Sequence, residues 1–136
     1  MAITQSMRRN DTTSPNRQSP TQQRGQAGEE LAAHFLQRHG LRILTRNYRC
    51  RGGEIDLICQ DGAALVFVEV RLRRSNAFGG AAASITLTKQ RRIILAARHY
   101  LATHSKTDAD CRFDCVLLDG TSDQSINWVR NAFSAD

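Results

Sequence analysis

A chain of 136 residues, 40% of them hydrophobic, has the length and the material for one domain with a real core. No apolar run approaches the roughly 20 residues that a membrane-crossing helix requires, so no helical span is expected. The formal charge of +6, from 19 basic and 13 acidic residues, favours an anionic partner over a basic one.

Residues 1–24 are Ser, Thr, Gln, Asn, two prolines and four arginines against one aspartate. They hold too few large apolar side chains to offset the entropy of ordering, and a disordered basic tail is expected there, ahead of a domain over residues 25–136. Such a tail serves either as a basic arm on nucleic acid or as an inert extension. It has no apolar segment of the kind a secretory signal needs, and the expected compartment is the cytoplasm.

The first helix is expected over Gly25–His39, where Ala27, Leu31, Ala32, Phe35 and Leu36 recur at helical spacing and Gly40 supplies a stop. Glu29 and Glu30 fall in its early turns, where the helix dipole favours acids. Their alternative role is to add a carboxylate to a site on the neighbouring sheet. Leu41–Cys50 alternates loosely and predicts the first strand, with Gly52-Gly53 turning into the second.

Gly53–Arg71, GEIDLICQDGAALVFVEVR, is the stretch around which the rest is organised. Two apolar, β-branched runs flank Asp61-Gly62, a strong hairpin signal. Glu54 and Asp56 lie two apart on one arm, Glu69 and Arg71 two apart on the other, so each pair is expected on one face. Charges in a hairpin this apolar bind a metal or one another. An ion-pair cluster across the two arms is the structural alternative to a cation site.

After the hairpin, Ser75–Ile85 is a small-residue loop without the lysine and hydroxyl pattern of a phosphate-binding loop. The second helix is expected over Thr88–His104, with Thr88 as cap and Ile93, Ile94, Ala96, Ala97, Tyr100 and Leu101 as buried stripe. Lys89 and Arg92 stand in its first turns, where basic residues oppose the dipole but suit a phosphate. Cys111–Leu118 predicts a fourth strand and Ile126–Val129 a short last one, with Arg130–Phe133 as a closing turn. The order is helix, three strands, helix, strand, with a small addition: a mixed sheet with helices packed on it.

Charge is unevenly spread. Between Val70 and Thr107 there is no Asp or Glu, while Arg71, Arg73, Arg74, Lys89, Arg91, Arg92, Arg98 and Lys106 fall inside that span. A positive field beside strand carboxylates suits a phosphate backbone; a solvated helix face is the plainer reading. The cysteines, Cys50, Cys59, Cys111 and Cys115, form no CxxC pair. Cys111 and Cys115 on a strand would stand roughly 13 Å apart, too far to share an ion. All four are expected as small buried hydrophobes or free thiols.

Gly28-Glu29, the GGEIDLI of Gly52–Ile58, the VFVEVR of Val66–Arg71, the Phe-Gly-Gly of the loop, Thr88-Lys89-Gln90 and Arg112-Phe113-Asp114 closely resemble the YraN family of uncharacterised bacterial proteins, from about Gly25 to Phe133. That family in turn resembles the restriction-endonuclease-like PD-(D/E)XK superfamily, with an arrangement similar to Holliday-junction resolvases. The resemblance implies an α/β restriction-endonuclease-like mixed sheet flanked by helices, in the order α-β-β-β-α-β. It also implies a Mg²⁺- or Mn²⁺-dependent endonuclease acting on DNA or RNA, and, by analogy with resolvases, a homodimer.

Residue by residue, Asp56 matches the motif aspartate and Glu69 the motif glutamate. Both would ligate the cation, with the carbonyl of Val70 as a third oxygen, a donor set that suits Mg²⁺. Glu29 matches the acid on the first helix of resolvase-like members, with Glu30 as its fallback. Lys89, Gln90 and Arg92 would face the phosphate, and Arg71 and Arg73 would add to the nucleic-acid contact. The chain departs from the pattern at Arg71, which stands where a lysine is expected. Arginine forks a phosphate but stays charged and cannot act as a general base. The family pattern therefore leaves two outcomes, a nuclease with a modified site or a binding module that keeps the fold without the cleavage.

Overall fold

The computed structural model describes residues 20–72, 85–119 and 125–135. Its elements are α1 (Pro20–Arg38), β1 (Arg42–Cys50), β2 (Gly53–Asp61), β3 (Ala64–Leu72), α2 (Leu87–Thr103), β4 (Cys111–Leu118) and β5 (Ile126–Phe133). The strands form one five-stranded sheet in the order β1-β2-β3-β4-β5. Among the described residues only the β3–β4 pairing is parallel, and the chain reaches it through α2; the others are antiparallel. This α-β-β-β-α-β-β arrangement is the mixed α/β sheet that the sequence predicts, and it is consistent with a restriction-endonuclease-like fold.

The two helices cover opposite faces. Ala32, Ala33 and Leu36 of α1 pack on Leu57, Cys59, Val66, Val68, Val116 and Leu118. Ile93, Ala96, Ala97 and Tyr100 of α2 pack on Ile55, Ile58, Phe67, Cys115 and Leu117. A sheet buried on both faces explains why β3 and β4 read as almost continuous apolar runs.

Several boundaries move. Helix α1 begins at Pro20 rather than Gly25. Proline is favoured at a first helical position, where its missing N–H is not needed. The earlier start places Glu29 and Glu30 mid-helix, so the dipole does not account for them. Gly40, at φ 94°, ends the helix with Leu41 N–H donating to Leu36 and Gly40 N–H to Gln37. The cap of α2 is Thr86, not Thr88: its Oγ1 accepts from the Lys89 N–H at 3.1 Å. In the β2–β3 hairpin Asp61 pairs with Ala64, so the loop is Gly62-Ala63, with Gly62 at φ 61°. The disorder expected for residues 1–24 does not hold over Pro20–Arg24, which open α1; its remainder, residues 1–19, and the loop expected over Ser75–Ile85 lie outside the described residues, apart from Ile85, which is buried against α2.

Strand β5 runs on to Phe133 in place of the expected closing turn. It does so through a bulge opposite Asp114, with Asn131 at φ 53°. Asp114 is fully buried and satisfied: Arg112 Nε, Trp128 Nε1 and the Asn131 N–H all donate to it, and Arg112 also pairs with Asp61 at 3.0 Å. This ion-centred clamp ties the last strand to the sheet.

A second irregularity positions the candidate site. Asn47, at φ 51°, lies between the register pairs Arg46↔Leu57 and Tyr48↔Ile55, directly across from Asp56. On either side of this point the side chains change face. Leu57 belongs to the α1-side cluster and Ile55 to the α2-side one; likewise Arg46 pairs with Glu30 of α1, while Tyr48 packs on the α2 side. The β2–β3 ladder ends here too, at Leu57↔Val68. Strict alternation therefore fails at Asp56.

Candidate functional site

Where β2 and β3 part, the Asp56 carboxylate takes the place of the missing ladder partner, and its Oδ2 accepts from the Val70 N–H at 2.8 Å. Glu69, one residue back on β3, is only 5% exposed. The two carboxyl groups are neighbours that hydrogen-bond when one of them holds a proton. Burial, then the charge of Asp56, pushes Glu69 up to about 8; burial also raises Asp56. Glu69 Oε1 is buried and meets no N–H or O–H donor among the described residues. The pair thus presents acceptor oxygens in need of a proton or a cation.

Cations stand close by. Lys89, in the first turn of α2, reaches back so that its Nζ lies 2.8 Å from Glu54 and 3.8 Å from Glu69. Arg71 Nη1 is 3.5 Å from Glu69 Oε2, and Arg92 Nη2 is 4.0 Å from Glu54. The α2 terminus comes this near because Gly53 has no side chain: a Cβ there would lie 2.5 Å from the Arg92 carbonyl and 2.9 Å from Ala96 N.

Asp56, Glu69, Val70 and Lys89 line one cavity of about 250 Å³, together with Gly28 and Glu29 of α1. A larger cleft of about 380 Å³ continues from Glu29 between α1 and β1, past Asn47 and Arg46. It holds neither carboxylate of the pair, and the smaller cavity is the chemically relevant one. Glu29 joins the two. Its carboxyl is raised by burial and by the charge of Asp56, against a hydrogen bond to Asn47. Glu30 instead faces outward, bonded to Arg46 at 2.9 Å and beside His34 at 3.4 Å.

Asp56, Glu69, Arg71, Val70, Lys89 and Glu29 are therefore brought together, and Arg92 stands at the edge. Gln90 is turned to local work, its Nε2 donating to the Ile85 carbonyl at 3.0 Å. Arg73 lies outside the described residues. Among the described residues, no three His, Cys, Asp or Glu side chains gather closely enough to hold a metal by themselves, so Glu29 flanks the carboxylate pair without completing a triad. The cysteines are free thiols, as expected. Two contributors are not marked by the sequence. Glu54 reads there only as an acid beside Asp56, yet it anchors Lys89. Asn47 belongs to no motif, and nothing in its surroundings announces a left-handed backbone.

A mixed sheet with a helix on each face, parting at a half-buried Asp56 and a buried Glu69 beside a lysine and an arginine, defines an α/β domain with an acidic cavity, consistent with a restriction-endonuclease-like fold. The profile of the uncharacterised protein family UPF0102 matches residues 28–118, and the chain belongs to that family. A UPF0102 protein of Dechloromonas aromatica is 57% identical over 127 residues, covering 93% of this chain and 95% of the relative. One from Nitrosomonas europaea is 56% identical over 110 residues, covering 81% and 92%, and one from Aeromonas hydrophila is 54% identical over 112 residues, covering 81% and 84%. Among the described residues no helix is long and apolar enough to cross a membrane.

Proposed function

We propose that the protein is a divalent-metal-dependent endonuclease, with Asp56 and Glu69 holding a Mg²⁺ or Mn²⁺ ion and a nucleic-acid phosphodiester as substrate. The observation that carries this reading is the buried Glu69 Oε1, which has no donor among the described residues and belongs to a carboxylate that lines the same cavity as Asp56. The donor set fits the ion. Mg²⁺ asks for hard oxygens, uses one or two carboxylates, and fills its remaining positions with water and substrate phosphate. The Val70 N–H fixes one oxygen of Asp56, which orients that carboxylate for the task. A bound ion would polarise the phosphoryl group and make a bound water more acidic.

The chain's own residues supply the rest. Arg71 forks the non-bridging phosphate oxygens and stabilises charge that develops on them. Lys89 neutralises the same region from α2. Glu29, whose carboxyl is raised and which lines both clefts, is placed to take up or return a proton at the cavity wall.

A second reading is favoured by one specific feature: Arg71 cannot deprotonate water as a neutral lysine can, so the domain would bind nucleic acid without cutting it. Incubation with Mn²⁺ and labelled branched, duplex or single-stranded substrates separates the two. Cleavage that disappears in Asp56→Asn and in Glu69→Gln supports the nuclease. Salt-sensitive binding with no metal-dependent product leaves the binding module.

A further inference from the structure

The carboxylate pair accounts for Asp56, Glu69 and Arg71, but not for Glu54. That side chain sits at the outer end of β2 and is partly exposed. It is bonded to Lys89 at 2.8 Å, Arg92 lies at 4.0 Å, and Arg49 of β1 acts on it as a third cation. Three cations thus face this one carboxylate, and of them Lys89 also faces Glu69. The backbone makes this arrangement a continuous surface. The β1–β2 turn, Arg51-Gly52, is seated on α2: a Cβ on Gly52 would come within 2.9 Å of Leu95, and one on Gly53 would meet the Arg92 carbonyl. Arg49, which acts on Glu54, and Arg51, in the turn seated on α2, are both exposed beside this end of the helix. Helix α2 carries no acidic residue to oppose them.

We infer that the rim formed by Arg49, Arg51, Lys89 and Arg92 around Glu54 is a binding station for a phosphodiester strand, adjacent to the carboxylate pair. The inference rests on the nucleic-acid reading of that pair and adds to it the surface and the direction of approach. Lys89 is common to both places, since its ammonium lies between Glu54 and Glu69. A strand with one phosphate at the carboxylate pair would run out over the β1–β2 turn and α2, and its neighbouring phosphate would meet the arginines. Glu54 holds the cations in place in the free protein and lowers the net attraction of the rim.

The test is fluorescence-anisotropy titration of a fluorescein-labelled single-stranded DNA, between roughly 50 and 200 mM salt. It compares the full chain with Arg49→Ala/Arg51→Ala, with Glu54→Gln, and with Asp56→Asn. Circular dichroism checks that each variant keeps its helices. The expected results have opposite signs. The double arginine variant binds more weakly, with a salt slope smaller by about 0.7 for each phosphate that it no longer neutralises, and Glu54→Gln binds more tightly. Binding by the wild type that the double arginine variant leaves unchanged overturns the station while leaving the carboxylate-pair reading intact. A weaker Glu54→Gln complex overturns it as well. Displacement of the strand by polyglutamate at equal charge concentration would show a general acid-binding face and also refute the proposal. If the wild type binds no strand at low salt, and Mn²⁺ produces no cleavage, the reading of the pair itself fails.

Discussion

Replacing Glu69 by glutamine should make the protein more stable above neutral pH. Glu69 is 5% exposed, and burial with Asp56 beside it raises its carboxyl to about 8, against 4.5 for the free group. Between those values the folded state holds a proton that the unfolded state has released, so stability must fall as pH rises from 4.5 towards 8. The whole loss amounts to something on the order of 3–5 kcal/mol, at 1.36 kcal/mol per unit of pKa. For a domain of this size that is roughly 10 °C or more in melting temperature. Glutamine mimics the protonated acid: it can donate to Asp56 and carries no charge. Thermal unfolding followed by circular dichroism from pH 5 to pH 9 tests this in metal-free buffer. The wild type should lose stability steadily, and Glu69→Gln should show a much flatter curve and stand above the wild type at the alkaline end. Parallel curves for the two proteins would refute the account of a buried, protonated Glu69.

Further outcomes follow from the same structure. Asp114→Ala should cost about 3–5 kcal/mol, because the Trp128 and Asn131 N–H groups lose their buried acceptor and Arg112 keeps only Asp61; urea unfolding measures it. Gly53→Ala should destabilise by about 1–3 kcal/mol or more, since the new methyl would press on the backbone of α2, and a lowered urea midpoint would show it. Lys89→Met should change stability by about 1 kcal/mol or less, because its partner Glu54 is partly exposed and Glu69 keeps Arg71, yet it should weaken oligonucleotide binding measured by anisotropy. Saturating Mn²⁺ at 100 times its dissociation constant should add about 2.7 kcal/mol of stability at pH 8, and none in the Asp56→Asn/Glu69→Gln protein; differential scanning calorimetry reads both.

Much of this architecture is legible in the chain. The Gly53–Asp61 and Ala64–Leu72 arms, the helical stripe of Ile93, Ala96, Ala97 and Tyr100, and the strand Cys111–Leu118 all follow from local periodicity and turn residues. The neighbourhood of Asp56, Glu69 and Arg71 is legible for the same reason, because a hairpin sets its own register. The features that escape such reasoning are non-local. Alternation says that residues two apart share a face, and the break opposite Asn47 violates it through a left-handed residue in β1 that no residue type announces strongly. The length of β5 is hidden because its bulge exists to serve Asp114, a partner on another strand. The role of Glu54 depends on α2 closing over Gly53, an approach between elements far apart in sequence.

The metal site itself is open to isothermal titration of Mn²⁺ into the protein and into its Asp56→Asn/Glu69→Gln variant. Saturable, single-site binding to the wild type and heats of dilution alone for the variant are expected. Equal heats in the two proteins would contradict a metal site there, and the carboxylate pair would then be an internal structural couple.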